Sequence, residues 1–114
     1  MVSQNNQLTK EFFAVVKKGK LNEIKSMIDQ YCLDVTKLVD DNFRHTSLFY
    51  AAIIPDPIDA IKVIEFFVDK GVPPVYTDIL NQTVLYYTAR EGKLDCCRFL
   101  IDKGCNVTHK DNYG

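Results

Sequence analysis

The apolar residues of this chain have the spacing of amphipathic helices, and the same arrangement repeats along the sequence. In the segments 61–68 and 94–101, apolar residues recur three or four positions apart. This spacing places them on one face of an amphipathic helix. Each segment runs into the same triplet, Asp-Lys-Gly, at 69–71 and at 102–104. The pattern therefore predicts helices that are copies of one unit, with each triplet glycine placed for a left-handed C-cap.

A second pair of similar segments precedes these helices. Residues 46–52 read Thr-Ser-Leu-Phe-Tyr-Ala-Ala, and residues 83–89 read Thr-Val-Leu-Tyr-Tyr-Thr-Ala. Threonine is a favoured N-cap, so we expect the hydroxyls of Thr46 and Thr83 to accept from amides of the first helical turn. Self-similarity between successive segments of a chain predicts a solenoid, in which each unit buries its apolar face against its neighbours.

The two copies differ in the turn that joins their helices. In the second copy, Gly92 lies where the first helix is expected to end. In the first copy Pro55 has that position, and Asp56-Pro57 reads as an N-cap followed by a proline at N1. The segment 53–60 therefore carries an insertion between the two helices of the first copy.

A more divergent unit precedes both copies. Residues 8–18 carry apolar side chains on one helical face, and 19–21 (Gly-Lys-Leu) match 92–94. The threonine-led motif is absent from this unit, and the exposed side of its first helix is polar. A polar outer face is what a terminal repeat requires, so this unit is predicted to be the N-terminal cap.

These motifs resemble those of the ankyrin repeat family, whose unit of about 33 residues has a turn, two helices and a T-P-L-H-x-A signature. The resemblance implies an all-α solenoid of stacked antiparallel helix pairs joined by finger loops. Its expected divisions are an N-terminal capping repeat at 7–40, a repeat with an inter-helix insertion at 41–76, a repeat at 78–110 and the start of a truncated repeat at 111–114.

The same resemblance predicts where the helices lie. Helix pairs are expected near 8–30, 47–69 and 84–103, with no continuous sheet. The chain stops at 111–114, just before another threonine-led helix is expected. We therefore expect the sequence to be a fragment of a longer protein.

The chain departs from the family signature in its finger turns and first helices. Arg44 and Asn81 replace the turn glycine. Asparagine tolerates the left-handed backbone better than arginine does, so we expect strain at Arg44 and a domain of modest stability. Phe49 and Tyr86 replace the signature histidine, and both are predicted to pack in the core between repeats.

Composition and charge narrow the classes of partner. The chain has 14 basic and 15 acidic residues, interspersed, and a net charge of −1. Long-range attraction to nucleic acid or to an anionic membrane is therefore not expected. No apolar run approaches the roughly 20 residues of a membrane helix. The four cysteines form no C-x-x-C pair, which favours a reducing intracellular compartment, either cytoplasm or nucleus.

Candidate chemistry is sparse in this sequence. His45 and His109 adjoin no serine or cysteine in a nucleophile motif. Cys105 and His109 are spaced like metal ligands, but no second ligand pair accompanies them. No glycine-rich phosphate-binding fingerprint is present. The sequence therefore predicts a protein that is not an enzyme and needs no metal or cofactor.

The family resemblance implies that partners bind the concave side, formed by finger tips and the exposed surfaces of the first helices. The variable positions there are Asn42, Phe43, His45, Ile53, Ile54, Ile79, Leu80, Gln82, Arg90 and Glu91. Several are apolar although the helix core does not require them, which indicates an interface. The patch would have a mildly basic rim, formed by Lys17, Lys18, His45 and Arg90. The alternative is that the insertion folds over and buries Ile53 and Ile54 locally.

Three functional interpretations follow from these features. The leading one is a non-catalytic scaffold that docks a protein or peptide. The alternative is a regulatory or substrate-recognition module of a multidomain enzyme, such as a chromatin methyltransferase or kinase, whose catalytic part lies elsewhere. A weaker alternative is a methyl-lysine reader, with an aromatic cage formed by Phe49, Tyr50, Tyr86 and Tyr87 and by Tyr76 nearby. The truncated repeat at 111–114 also predicts weak self-association through an uncovered apolar face.

Overall fold

The computed structural model describes residues 2–109. This part of the chain forms six α-helices, one short 3₁₀ helix and no β-strand. In chain order these are α1 (Val2–Lys18), α2 (Leu21–Tyr31), the 3₁₀ helix (Val35–Lys37), α3 (Ser47–Ala52), α4 (Pro57–Asp69), α5 (Val84–Arg90) and α6 (Leu94–Asp102). The start of a further repeat predicted at 111–114 lies outside the described residues.

The helices pack as three sequential pairs. α1 contacts α2, α3 contacts α4, and α5 contacts α6. Because the connections within each pair are short, the paired helices are antiparallel. Between pairs, the first helices stack in the order α1, α3, α5 and the second helices in the order α2, α4, α6. The predicted all-helical solenoid of helix pairs is confirmed.

The core follows the predicted apolar faces. Phe12 of α1 and Phe67 of α4 are fully buried, and their rings meet edge to face with 6.1 Å between centroids. Ala51 and Ala52 have no exposed surface, so small side chains occupy the contact faces of α3. Removal of these apolar groups from water is the main stabilising term of the stack.

Several helix ends follow the predicted turn chemistry. Asp56 Oδ1 accepts from the Ile58 N–H at 2.8 Å, and Pro57 is the first residue of α4. Gly71 and Gly104, which follow α4 and α6, have φ of +100° and +106°. This backbone conformation is open to glycine and rarely adopted by other residues, so the two predicted glycine caps are confirmed.

The threonine caps differ from the prediction. Thr46 and Thr83 do precede α3 and α5 in extended backbone, but neither hydroxyl makes a capping hydrogen bond. Their backbone carbonyls accept instead, from the Phe49 N–H and the Tyr86 N–H, each at 3.1 Å. The predicted hydroxyl caps are therefore wrong, because carbonyl oxygens close the first turn of both helices.

The insertion between α3 and α4 is anchored on both sides. Ile54 is 1% exposed and packs towards the turn between α1 and α2, where Gly19 has φ of +76°. A Cβ added at Gly19 would lie 2.7 Å from Ile54 Cγ2. On the other side, the buried Lys93 donates from Nζ to the Ala52 carbonyl at 2.9 Å, at the end of α3. The longer loop is therefore part of the packed structure.

Gly19 and Gly92 offer a matched test of this packing. Both have a left-handed φ, but a Cβ at Gly92 would meet no atom within 4 Å. Each glycine-to-alanine change should cost about 1–2 kcal/mol for the backbone conformation. Gly19→Ala should cost a further ~1–3 kcal/mol because it overpacks Ile54. Urea unfolding of the two variants measures the difference, and equal losses would show that Ile54 does not seat on Gly19.

Candidate partner-binding site

Two finger loops bring the predicted site together. Finger 1 (residues 38–46) leads into α3, and finger 2 (residues 73–83) leads into α5. Each turn contains one left-handed residue, Arg44 with φ of +61° and Asn81 with φ of +60°. The left-handed backbone expected at these two positions is confirmed. We call the surface formed by the two finger tips and the exposed sides of α1, α3 and α5 the finger face.

An aspartate closes finger 1. Asp40 accepts from the Phe43 N–H at 2.9 Å and from the His45 N–H at 3.2 Å, and the Tyr50 hydroxyl donates to it. Its own N–H donates to the His45 carbonyl at 3.0 Å. Asp40 precedes the expected start of the repeat at residue 41. These bonds give it the same role as Asp78 has in finger 2.

The aspartate of finger 2 is more deeply buried. Asp78 accepts from the N–H groups of Leu80 and Gln82, each at 2.9 Å, and from the Tyr87 hydroxyl at 2.6 Å. Its side chain has no exposed surface. Because a buried carboxylate without partners is strongly destabilising, these donors are required for Asp78 to occupy this position.

Hydrogen bonds join the two fingers. The Ile79 N–H donates to the Phe43 carbonyl at 2.9 Å. The His45 Nε2–H donates to the Asp78 carboxylate, also at 2.9 Å. The first bond places the apolar tips of the two fingers side by side. The second fastens finger 1 to the buried carboxylate of finger 2.

The ring of His45 lies within an aromatic cluster. It stacks on Phe49 with 4.5 Å between centroids and 5° between planes, and it meets Tyr87 edge to face at 5.3 Å. Phe43 also stacks on it, at 5.5 Å. The imidazole thus occupies the space among these rings that a methylated lysine would need. A methyl-lysine cage gains no support from this arrangement.

Hydrogen bonding sets the ionisation of both finger aspartates. Burial alone would raise the pKa of Asp78, but hydrogen bonds from Tyr87, the backbone and His45 outweigh it and hold the pKa below its ordinary value. The same balance, with Tyr50 as the side-chain donor, lowers the pKa of Asp40. Burial and the neighbouring carboxylates raise the pKa of Tyr50 and Tyr87. At neutral pH the pairs are therefore ionised acceptors with protonated donors.

Most of the predicted site residues reach solvent. The exposed ones are Asn42, Phe43, Ile53, Ile79, Arg90 and Glu91, and the half-buried ones are His45 and Leu80. Phe43 and Ile79 are 50% and 53% exposed although they are apolar. Their role in partner binding stays a prediction.

Two predicted site residues are buried, so the exposure expected of them is wrong. Ile54 is 1% exposed because the insertion seats it near Gly19. Gln82 is 5% exposed, and its Oε1 lies 2.8 Å from the Tyr87 hydroxyl oxygen in the interior of finger 2. Local burial by the insertion therefore applies to Ile54 and not to Ile53, which is 37% exposed.

The two aromatic residues predicted for the inter-repeat core have different environments. Phe49 is 3% exposed, and Tyr87 of the next helix pair meets it edge to face at 5.5 Å. Tyr86 holds the corresponding position in α5 but is 45% exposed. The core prediction is therefore wrong for Tyr86, because no further helix pair covers it among residues 2–109.

A groove lies between α1 and finger 1. Its volume is about 290 Å³, and its floor is formed by Phe13 and Tyr50, whose rings stack at 4.4 Å. Lys10 and Lys17 line one side of it, and Asp41 lies on the finger side. Sequence reasoning missed this groove. The signal that it overlooked is the tyrosine four residues after each repeat threonine, which donates to the finger aspartate.

A second depression lies on the outer side of the last helix pair. Its volume is about 600 Å³, and its apolar lining comes from Leu85, Tyr86, Ala89, Cys97, Ile101 and Val107. We call this surface the end face. Tyr86 and Ile101, which contribute to it, are 45% and 42% exposed.

The candidate metal ligands and the thiols lie in separate environments in the described part of the chain. Residues 2–109 contain no cluster of three or more His, Cys, Asp or Glu side chains positioned to hold a metal ion. Cys105 and His109 have separate partners, the Pro74 carbonyl at 3.1 Å and the Asn81 carbonyl at 2.7 Å. Burial raises the pKa of the Cys96 thiol to about 11, so this thiol is protonated at neutral pH. Among the described helices, none is long and apolar enough to cross a membrane.

Comparison with known proteins agrees with this architecture. The family model described as ankyrin repeats in three copies matches residues 12–111. The chain therefore belongs to the ankyrin repeat family, whose repeats are generally protein–protein interaction modules and typically non-catalytic.

A curated protein and a solved structure show similarity to the chain. The first is the ankyrin repeat protein nuc-2 of Neurospora crassa, with 30% identity over 115 residues, 98% of this chain and 10% of that protein. The chain thus spans about a tenth of the length of the curated relative it matches. The second is a solved structure of the Bd0816 predatory endopeptidase from Bdellovibrio bacteriovorus in complex with immunity protein Bd3460. Its TM-score is 0.69 at 21% identity, covering 84% of this chain and 47% of that one, and it shows the fold alone.

Proposed function

We propose that this chain is a non-catalytic binding module that docks a peptide or a folded domain on its finger face. The observation that carries the proposal is the pair of apolar finger tips, Phe43 and Ile79. Both are at least half exposed, and the hydrogen bond between Ile79 N–H and the Phe43 carbonyl holds them side by side. Adjacent exposed apolar side chains that the core does not use typically mark an interaction site.

The chemistry of the described residues supports a binding role. His45 is fully engaged by Asp78 and by its aromatic neighbours, so it is poorly placed to act on a substrate. The four cysteines are free thiols, two of them buried. Unpaired thiols fit a reducing compartment, and we propose an intracellular location, cytoplasmic or nuclear.

A module within a larger enzyme is the alternative form of the same proposal. Here the finger face would recognise a substrate or regulate a catalytic part outside these residues, such as a methyltransferase or kinase. The match to about a tenth of a much longer relative is compatible with this arrangement. Activity measurements on the intact parent protein, with and without changes at the finger tips, distinguish it from a pure scaffold.

The finger tips provide the direct test of the proposal. Phe43→Ser combined with Ile79→Ser should leave helicity and melting nearly unchanged, because both side chains face solvent. It should weaken partner binding by about 2 kcal/mol or more if these residues are interface hot spots. Quantitative affinity capture from cell extract, followed by mass spectrometry, compares this variant with the wild-type chain.

Ile58→Ser is the matched control, because Ile58 is 64% exposed but lies at the start of α4. Proteins retained by wild type and by the control, yet depleted with the double variant, support a finger-face site. If the double variant unfolds, or if it retains every partner, the finger tips are not the binding surface.

We also propose that the 114-residue polypeptide self-associates weakly through its end face. Equivalent positions one helix pair earlier supply the support. Phe49 and Ile64 are 3% and 0% exposed, because α5 and α6 stack on α3 and α4. Their counterparts Tyr86 and Cys97 are exposed and half-buried. An apolar face built to be covered is expected to seek a second copy.

Light scattering tests this association over a range of concentrations. The 114-residue chain should show a molar mass that rises with concentration. Fusing a designed ankyrin repeat and polar cap after Gly114 should abolish the rise and increase the melting temperature, because the added helices cover the end face. A strict monomer at high concentration, with no stability gained on fusion, would contradict the proposal.

A further inference from the structure

The finger face carries a row of equivalent positions with a basic–apolar–basic pattern. Lys17, Ile53 and Arg90 lie at corresponding points near the ends of α1, α3 and α5. Because these three helices stack side by side in that order, the residues form a row with Ile53 in the middle. All three are exposed.

The cations at the α1 end of this row lack internal partners. Lys17 and Lys10 line the groove whose floor is Phe13 and Tyr50. Among the described residues, neither lysine has a carboxylate within 4.0 Å. Asp40 and Asp41 line the finger side of the same groove without pairing with either lysine, so both ammonium groups are available to a ligand.

The cation at the other end lies over an aromatic ring. The guanidinium of Arg90 lies 5.1 Å from the ring centre of Tyr87. Its neighbour Glu91 is 3.6 Å from Arg90 and also 3.8 Å from the buried Lys93. One exposed carboxylate is therefore shared between two cations. A guanidinium stacked on an aromatic ring still presents its donors in a planar fork, which suits a carboxylate.

In the described residues, the finger aspartates make no ion pair with these cations. The Asp78 carboxylate is fully buried and already accepts four hydrogen bonds. Asp40 accepts from two N–H groups and from Tyr50. Both aspartates are therefore committed to holding the fingers, and the ammonium of Lys17 and the guanidinium of Arg90 are the exposed charges of the row.

Building on the proposed function, we propose that the finger face binds an acidic–apolar peptide segment of its partner. Apolar side chains of that segment contact Ile53, Phe43 and Ile79, and flanking carboxylates pair with Lys17 and Arg90. Neighbouring helices in a stack are about 8–10 Å apart, so the two cations are separated by roughly twice that distance. An extended chain rises ~3.3 Å per residue, which places the two acidic positions about five or six residues apart with apolar residues between them.

Selection from a random dodecapeptide display library tests this inference without assuming a sequence. Wild-type protein should enrich peptides that combine Asp or Glu with apolar residues. A synthetic peptide of the enriched class should bind the Lys17→Glu/Arg90→Glu variant about tenfold or more weakly at near-physiological salt, because attraction becomes repulsion. Fluorescence anisotropy measures the affinities, and circular dichroism confirms that each variant is folded.

The matched control is Lys62→Glu/Arg98→Glu, a double charge reversal at exposed positions of α4 and α6. This variant should bind the peptide as wild type does. Enriched peptides that are basic or uncharged would overturn the inference. So would binding that is lost in Phe43→Ser/Ile79→Ser yet unchanged in Lys17→Glu/Arg90→Glu, and in both cases the proposed function would stand.

Further results would also overturn the inference. If no peptide is enriched, the inference is overturned, and docking of a folded domain on the finger face would stand. If an enriched peptide binds both finger-face variants as it binds wild type, the inference and the finger-face site are both overturned. A single-stranded oligonucleotide is titrated in parallel as a polyanion probe. If it binds, loses affinity in Lys17→Glu/Arg90→Glu and has no peptide counterpart, the row recognises phosphate rather than acidic peptide, and the inference fails.

Discussion

The buried carboxylate of Asp78 is the interaction on which the finger face depends. It accepts hydrogen bonds from two N–H groups of its own finger, from Tyr87 of α5 and from His45 of the preceding finger. These donors come from three parts of the site: finger 2, α5 and finger 1. Because an unpartnered carboxylate at this depth would be strongly destabilising, the four donors are held in place together. The position of both finger tips follows from this arrangement.

Finger 1 is closed by a similar aspartate, Asp40, which is less buried than Asp78. Asp40 pairs with Tyr50 as Asp78 pairs with Tyr87, so an aspartate–tyrosine pair repeats along the stack. No imidazole from a preceding finger reaches Asp40 among the described residues, and its side chain is only half-buried. The opening beside it is the groove of α1. The repeated chemistry therefore gives rigidity at finger 2 and an accessible, lysine-lined groove at finger 1.

The parts of the structure that depend on nearby residues could be predicted from the sequence. The helical period, the Asp56-Pro57 start of α4 and the left-handed backbone at Arg44 depend on a few neighbouring positions, and the structure has all of them. The failed predictions depend on distant contacts. Ile54 is buried because it meets Gly19 in the previous helix pair, and Tyr86 is exposed because nothing stacks on it in the described part of the chain.

For the candidate site too, the predictions that depend on nearby residues succeeded and those that depend on distant contacts failed. Repeat register was enough to place the exposed tips Phe43 and Ile79 on the surface. It could not reveal that the side chain of Gln82 turns inward beside Tyr87, or that the His45 ring fills the aromatic cluster. The His45 ring is oriented by the buried Asp78 carboxylate to which it donates, and the burial of that carboxylate is a property of the stacked fold.

A double-mutant cycle between His45 and Asp78 is the most direct measurement of this central claim. His45→Phe keeps an aromatic ring on Phe49 but removes the donor, and Asp78→Asn removes the charge. The pKa of Asp78 is lowered in the folded protein, so its stabilisation is complete above the ordinary value of 3.8 and is lost as the pH falls through the lowered pKa. Urea unfolding is therefore measured at pH 7. A coupling free energy of about 1–3 kcal/mol is expected for this buried, charge-assisted pair. Additivity of the two changes within about 0.5 kcal/mol would contradict the claim that Asp78 couples the fingers.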